Sequence, residues 1–207
     1  MNRYKKYFHK GIRYHYPKDS DAIISKVEDH FNVISADTNF AVSSANPIDK
    51  RLDFCAYFLA LIKTLDAWGE TYETIRMICL EIVTDFVQPG NKFHHLLKKL
   101  PAKLSNTWIA TFFLDILSRK VSRRANSEGF VAKIITDKNE TYGLGYGIDI
   151  LECGICKLFH KHHYQKYAAI LCEVDEITSG LAGLQLVRNG TIALGAAKCD
   201  FRFKKIK

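Results

Sequence analysis

Gly147-Ile148-Asp149-Ile150-Leu151-Glu152-Cys153-Gly154-Ile155-Cys156 is the stretch from which the rest of the chain can be read. It reads as the end of a glycine-bearing strand that gives way at Cys153 to the start of a helix. Cys172-Glu-Val-Asp175, Arg188-Asn-Gly-Thr191 and Gly195-Ala-Ala-Lys-Cys199-Asp200-Phe201-Arg202-Phe203 follow it. Four of the six cysteines therefore lie here, each within a few residues of a carboxylate, an arginine or a glycine turn. A purely structural domain can be built without such pairings, so a reaction centre is expected in this part of the chain.

Reading outward, residues 129–136 carry Phe130, Val131, Ile134 and Ile135 and predict a strand. Asp137-Lys-Asn-Glu140 predicts the hairpin turn, and a partner strand is expected over 142–150. There Gly143, Gly145 and Gly147 suggest close approach by another group. Helices are expected over 154–166 and 168–181, then strands over 184–189 and 199–205. The C-terminal region, 126–207, is thus a ββααββ unit with a small antiparallel sheet and a helical insertion.

Toward the N-terminus, residues 2–10 predict a short basic, aromatic helix. Asp19 or Ser20 can cap a helix over 22–31, with Ile23, Ile24, Val27 and Phe31 on one face, and residues 35–46 read as a loop. Asn46-Pro47 marks the start of a helix over 48–68 that is apolar on two stripes and so buried on two sides. Gly69 ends it, and Thr71 caps the next, which carries Ile75, Ile78, Cys79, Ile82, Val83 and Phe86. A short helix over 91–100, broken by Pro101, and a last one capped by Ser105 complete a helical region, 1–125. The fold class is α+β, with a mostly helical N-terminal half packed on the C-terminal sheet unit.

Hydrophobic content of 47% and charged content of 25% are ordinary for a globular protein with its own core. No apolar run approaches the roughly 18 residues of a membrane span, and no apolar signal segment follows the basic N-terminus. A cytoplasmic protein with reduced thiols is expected. The net charge of +8 comes from scattered pairs such as Lys98-Lys99 and Arg123-Arg124, without a nucleic-acid-binding motif. Solvated helix ends account for it better than nucleic acid does.

Cys55 and Cys79 sit on apolar helix faces and read as small core residues. Cys153, Cys156, Cys172 and Cys199 admit three readings: metal ligands, glycine-flanked packing positions, or a thiol facing substrate. The single C-x2-C lacks a second knuckle, so no metal is expected. Asp149, Glu152 and Asp175 lie in apolar context, where a carboxylate is either paired with arginine or able to handle protons. Arg188 offers a fixed fork for a substrate carboxylate or, equally, an internal bridge to Asp175 or Asp200. His160, His162 and His163 read as a solvated face.

The ordered set Asp149-x3-Cys153, Cys172-x2-Asp175, Arg188-x2-Thr191 and Gly195-x3-Cys199-Asp200-Phe201 resembles the 2-aminothiazoline-4-carboxylate hydrolase family. The match is best over about the last eighty residues. Cys153, Cys172 and Cys199 fall on the family's cysteine positions, while Cys156 is an addition. The resemblance implies opening of a cyclic amidine by water to an N-carbamoyl cysteine. On that reading Cys153, Asp175 and Glu152 are the catalytic candidates. Arg188, Thr191, Cys172, Cys199 and Asp149 are the candidates for holding substrate. The partner is a small carboxylate, no cofactor is needed, and a homo-oligomer is left open. The competing class is a small-molecule-binding module without catalysis, of the four-vinyl-reductase type.

Overall fold

The structure, a computed structural model, describes residues 4–88 and 108–206, with side chains described outside 108–113. The helix expected over 91–100, with Pro101 and Ser105, lies outside these residues. Among the described residues there are eight α-helices and four strands, an α+β fold. The chain divides into two compact units: residues 1–44, 49–87 and 155–174, and residues 45–48, 88–154 and 175–207.

The first unit is helical. It holds α1 (Lys5–His15), α2 (Ser20–Ser35), the short α3 (Phe40–Ser43), α4 (Arg51–Ala67) and α5 (Tyr72–Val87). The loop expected over 35–46 therefore contains one helical turn, α3. Burial on two sides explains α4: from Cys55 to Ile62 every residue is buried. Phe8 of α1 packs edge-on against Tyr57 and Phe58 of α4, with centroids 4.9 Å and 5.6 Å apart. Gly69 adopts φ +91° just after α4, and the Thr71 hydroxyl accepts from Thr74 N at 3.2 Å, so stop and start lie where local chemistry sets them.

Two more helices supply this unit: α7 (Gly154–Lys161) and the first half of α8 (Ala168–Leu181). A 3-10 turn, Gln165–Tyr167, separates them, so the helix expected over 154–166 is shorter. His162 consequently lies in the turn after α7, where its ring meets Asp37 at 3.0 Å and is half-buried. Only His160 and His163 face solvent as expected.

The second unit carries α6 (Trp108–Val121) and the strands β1 (Val131–Ile135), β2 (Gly147–Glu152), β3 (Leu184–Val187) and β4 (Cys199–Lys205). They form one antiparallel sheet in the order β1-β2-β4-β3. The hairpin loop is longer than its four-residue reading, because β2 begins at Gly147 and not at Tyr142. Gly143 and Gly145 hold φ +79° and +65°, a backbone for turns, and Tyr142 shares it at φ +51°. Gly147 alone answers to close approach: a methyl there would lie 3.0 Å from Phe201 O and the Arg202 side chain. The segment 45–48 also belongs here. Asn46 is fully buried, accepts from Ile48 N at 3.0 Å and donates to Phe130 O at 2.9 Å. With its side chain engaged in that turn, α4 begins at Arg51 and not at residue 48. No helix among the described residues is long and apolar enough to cross a membrane.

Candidate functional site

In the central pair of strands Ile148 opposes Phe201, Asp149 opposes Asp200 and Ile150 opposes Cys199. Opposed residues of an antiparallel pair share a face, and successive residues alternate. Ile148, Ile150, Cys199, Phe201 and Phe203 therefore occupy one face, and Asp149, Asp200 and Arg202 the other. The sheet has an apolar side and an ionic side.

Arg188 directly follows β3, which ends at Val187 and so is two residues shorter than expected. Its guanidinium carbon stands 5.1 Å from the centre of the Phe201 ring, which puts the side chain over the apolar face. Asp175 of α8 lies 3.6 Å from the Arg188 fork, with both side chains mostly buried at 16% and 10% exposure. Of the two internal partners open to Arg188 in the sequence, the structure selects Asp175.

Cys199 is buried at the start of β4, and its sulfur accepts a hydrogen bond from Ile192 N at 3.1 Å. Burial pushes this thiol up. The Ile192 N–H opposes that, Cys153 adds to it, Arg188 lowers it and Asp175 raises it, and the net shift is upward. Cys199 is therefore a protonated thiol at neutral pH. Cys153, Arg188 and Asp175 each exert a Coulombic influence on the Cys199 thiol. Arg188, Asp175 and Phe201 form one group on the apolar face, with Cys199 two residues before Phe201 on the same face of β4 and Cys153 within electrostatic range of Cys199.

Cys153 sits between the last residue of β2 and the first of α7, half-buried. The junction is held tightly, since a methyl on Gly154 would lie 3.1 Å from both Glu128 O and the Phe130 ring. The loop between Arg188 and Cys199 is fixed from the ionic side. The Asp200 carboxylate accepts from Asn189 N at 3.0 Å and Gly190 N at 2.6 Å. Thr191 is buried, and its carbonyl accepts from Leu194 N and Ala196 N, at 2.9 Å and 3.1 Å.

Asp149, Glu152 and Cys172 have the following surroundings. Asp149 lies on the ionic face, where Lys198 Nζ donates to it at 2.6 Å and Arg202 at 2.8 Å. Burial pushes its carboxyl up, but these two cations outweigh burial and hold it below the usual carboxylate range. Glu152 pairs with Arg124. Cys172 is on α8 within the first unit, its sulfur 4.0 Å from Ala168 O. Phe201, the platform for Arg188, was not singled out from the sequence for this role. An aromatic two residues after Cys199, on the same face of a strand, was the available signal. Among the described residues no group of three or more His, Cys, Asp or Glu is placed to hold a metal ion.

A small antiparallel sheet that carries the buried Cys199 thiol and the Arg188–Asp175 pair on its apolar side is the setting in which the comparisons fall. The model of the L-2-amino-thiazoline-4-carboxylic acid hydrolase family matches residues 51–203, and the chain belongs to that family. The matched span runs from the start of α4 into β4 and takes in Cys153, Asp175, Arg188 and Cys199. The family's name is that of a hydrolase. No curated protein and no solved structure matches the chain.

Proposed function

We propose that the protein is a cytoplasmic hydrolase that opens a cyclic amidine of the 2-aminothiazoline-4-carboxylate type. What supports this reading is the Arg188–Asp175 pair over Phe201, beside the buried Cys199, together with the family's name. The electrophilic carbon of such a ring is bonded to two nitrogens and a sulfur. Attack by the Cys153 sulfur forms a new C–S bond, and the ring C–S bond breaks to release the substrate's own thiol, which takes the Cys153 proton. Water then adds to the same carbon, the enzyme C–S bond breaks, and Cys153 recovers a proton. The water oxygen becomes the carbonyl of an N-carbamoyl cysteine, and its two hydrogens finish on nitrogen and sulfur.

Asp175 handles protons and faces the amidinium, Arg188 binds the carboxylate, and Thr191 positions the loop that carries Arg188. Cys199, protonated and bonded to Ile192 N, shapes the pocket rather than attacking. Glu152 and Asp149, each engaged by its own cations, act at most from outside this group, while Cys172 stands one helical turn before Asp175 on α8.

The test compares Cys153→Ser with Arg188→Ala, each shown folded by circular dichroism. Cys153→Ser is expected to lose turnover of aminothiazoline carboxylate by about 10³-fold or more while still binding it. Arg188→Ala is expected to weaken binding by about 1.5–3 kcal/mol. Full turnover by folded Cys153→Ser removes the thiol from the mechanism. The alternative, a binding module without catalysis, draws on the protonated state of Cys199. It predicts ligand binding with no new thiol released from the aminothiazoline.

A further inference from the structure

We propose that Asp175 is the built-in counter-ion of an anion site on Arg188, and that an incoming carboxylate displaces it. The inference rests on the reading of Arg188 as the carboxylate's partner, and it adds how that site selects and responds to its ligand.

Three features of the cluster lead to it. The guanidinium is nine-tenths buried, which makes a neighbouring negative charge necessary in the absence of ligand. Asp175 supplies that charge at 3.6 Å, a separation wider than the 2.7–2.9 Å or so of a fork seated on a carboxylate. One face of the guanidinium is taken by the Phe201 ring at 5.1 Å, so exchange of partners, in the proposal, takes place at its edge. The two residues also come from different supports. Asp175 is on a helix and Arg188 on a loop clamped by Asp200 through Asn189 N and Gly190 N. A small rotation of the Asp175 side chain can thus release the fork without moving the loop.

Two consequences follow. Asp175 competes with the ligand's carboxylate and so sets its affinity, as like charges around one cation repel each other. Once displaced, Asp175 is a carboxylate beside the thiols with its cation withdrawn, and is then available to face the amidinium. Loading the carboxylate and arming the base become one event.

The experiment uses thiazolidine-4-carboxylate, which keeps the ring and the carboxylate but lacks the amidine, and its uncharged 4-carboxamide. Binding is measured by calorimetry on the full chain. Asp175→Asn is expected to bind the carboxylate about tenfold more tightly than the unaltered protein, with the carboxamide changed by less than about twofold. The variant should also melt lower without ligand and gain more in Tm from the carboxylate, because Arg188 has lost its counter-ion. Asp175→Glu, whose longer arm closes the gap to Arg188, is expected to weaken the carboxylate selectively. It provides the reading should Asp175→Asn fail to fold. Equal carboxylate affinity in the variants and the unaltered protein overturns the inference, as does a parallel change for carboxylate and carboxamide or an absence of carboxylate binding in all forms. Turnover plays no part, so a protein that binds as described but never opens an aminothiazoline retains the counter-ion exchange and loses only the hydrolase reading.

Discussion

The two units treat charge differently. In the helical unit the interior is mostly apolar and aromatic: its buried carboxylate, Asp49, accepts from the Ser44 hydroxyl at 2.5 Å, and Glu28, which receives Lys5 at 2.6 Å and the Tyr57 hydroxyl at 2.8 Å, remains 32% exposed. In the sheet unit two arginine–carboxylate pairs are mostly buried, Arg188 with Asp175 and Arg202 with Asp149, with no side chain above 16% exposure. Buried pairs are poor sources of stability relative to apolar side chains of similar volume. A fold that only needed to be stable had less reason to place them there. On the function proposed above, the difference puts stability in the helices and chemistry in the sheet.

Removing a core ring tests the first half of that contrast most severely. Phe58 on α4 is fully buried. Phe58→Ala is expected to cost about 3–5 kcal/mol in urea unfolding. A cost below about 1 kcal/mol would mean that the helices are not where stability resides.

A smaller effect is expected on the ionic face, where it depends on pH. The Asp149 carboxyl is held below its ordinary value, so its contribution is present above the unfolded pKa and disappears as pH falls through the lower, folded one. Asp149→Asn should therefore cost about 1.5–3 kcal/mol at pH 7. It should also flatten the loss of stability below about pH 4. An acid limb of unchanged slope would show that the pair contributes nothing to folding.

The smallest effect belongs to Thr71, exposed at the start of α5, whose hydroxyl bonds the N–H and hydroxyl of Thr74. Thr71→Ala is expected to cost about 1 kcal/mol by thermal melting and to leave ligand binding at the cluster unchanged. A change in binding would break the separation between the two units' roles.

What the sequence made legible follows the range of the interaction involved. Gly69 and Thr71 mark a helix end and a helix start because one glycine and one hydroxyl act within three or four residues. The class, the four strands and the helices inserted between them were likewise readable from local pattern. The early start expected for β2 failed because Gly143 and Gly145 look alike in sequence whether they serve a strand or a turn. Only their positive φ tells them apart. The extent of α4 was misjudged because Asn46 spends its amide on Phe130, 84 residues away. The choice between Asp175 and Asp200 for Arg188 needed the sheet register, which puts Asp200 on the other face. The pairing of Asp149 with Arg202 could not be read at all, as nothing near either residue names the other.

That last pairing bears on how the molecule is made. Asp149 and Arg202 are 53 residues apart in the chain, and the strands that carry them are neighbours in the middle of the sheet. As the polypeptide leaves the ribosome, β1 and β2 can close as a local hairpin, but β2 must wait for β4 before its second edge is covered. Through that interval an unsatisfied strand edge stays open to solvent and to other nascent chains. Closure over such a distance is slow compared with helix formation. The cluster around Cys199 thus comes into being late, after the helical unit has had its elements to hand, and the half-made sheet is the species a chaperone would be called on to shield.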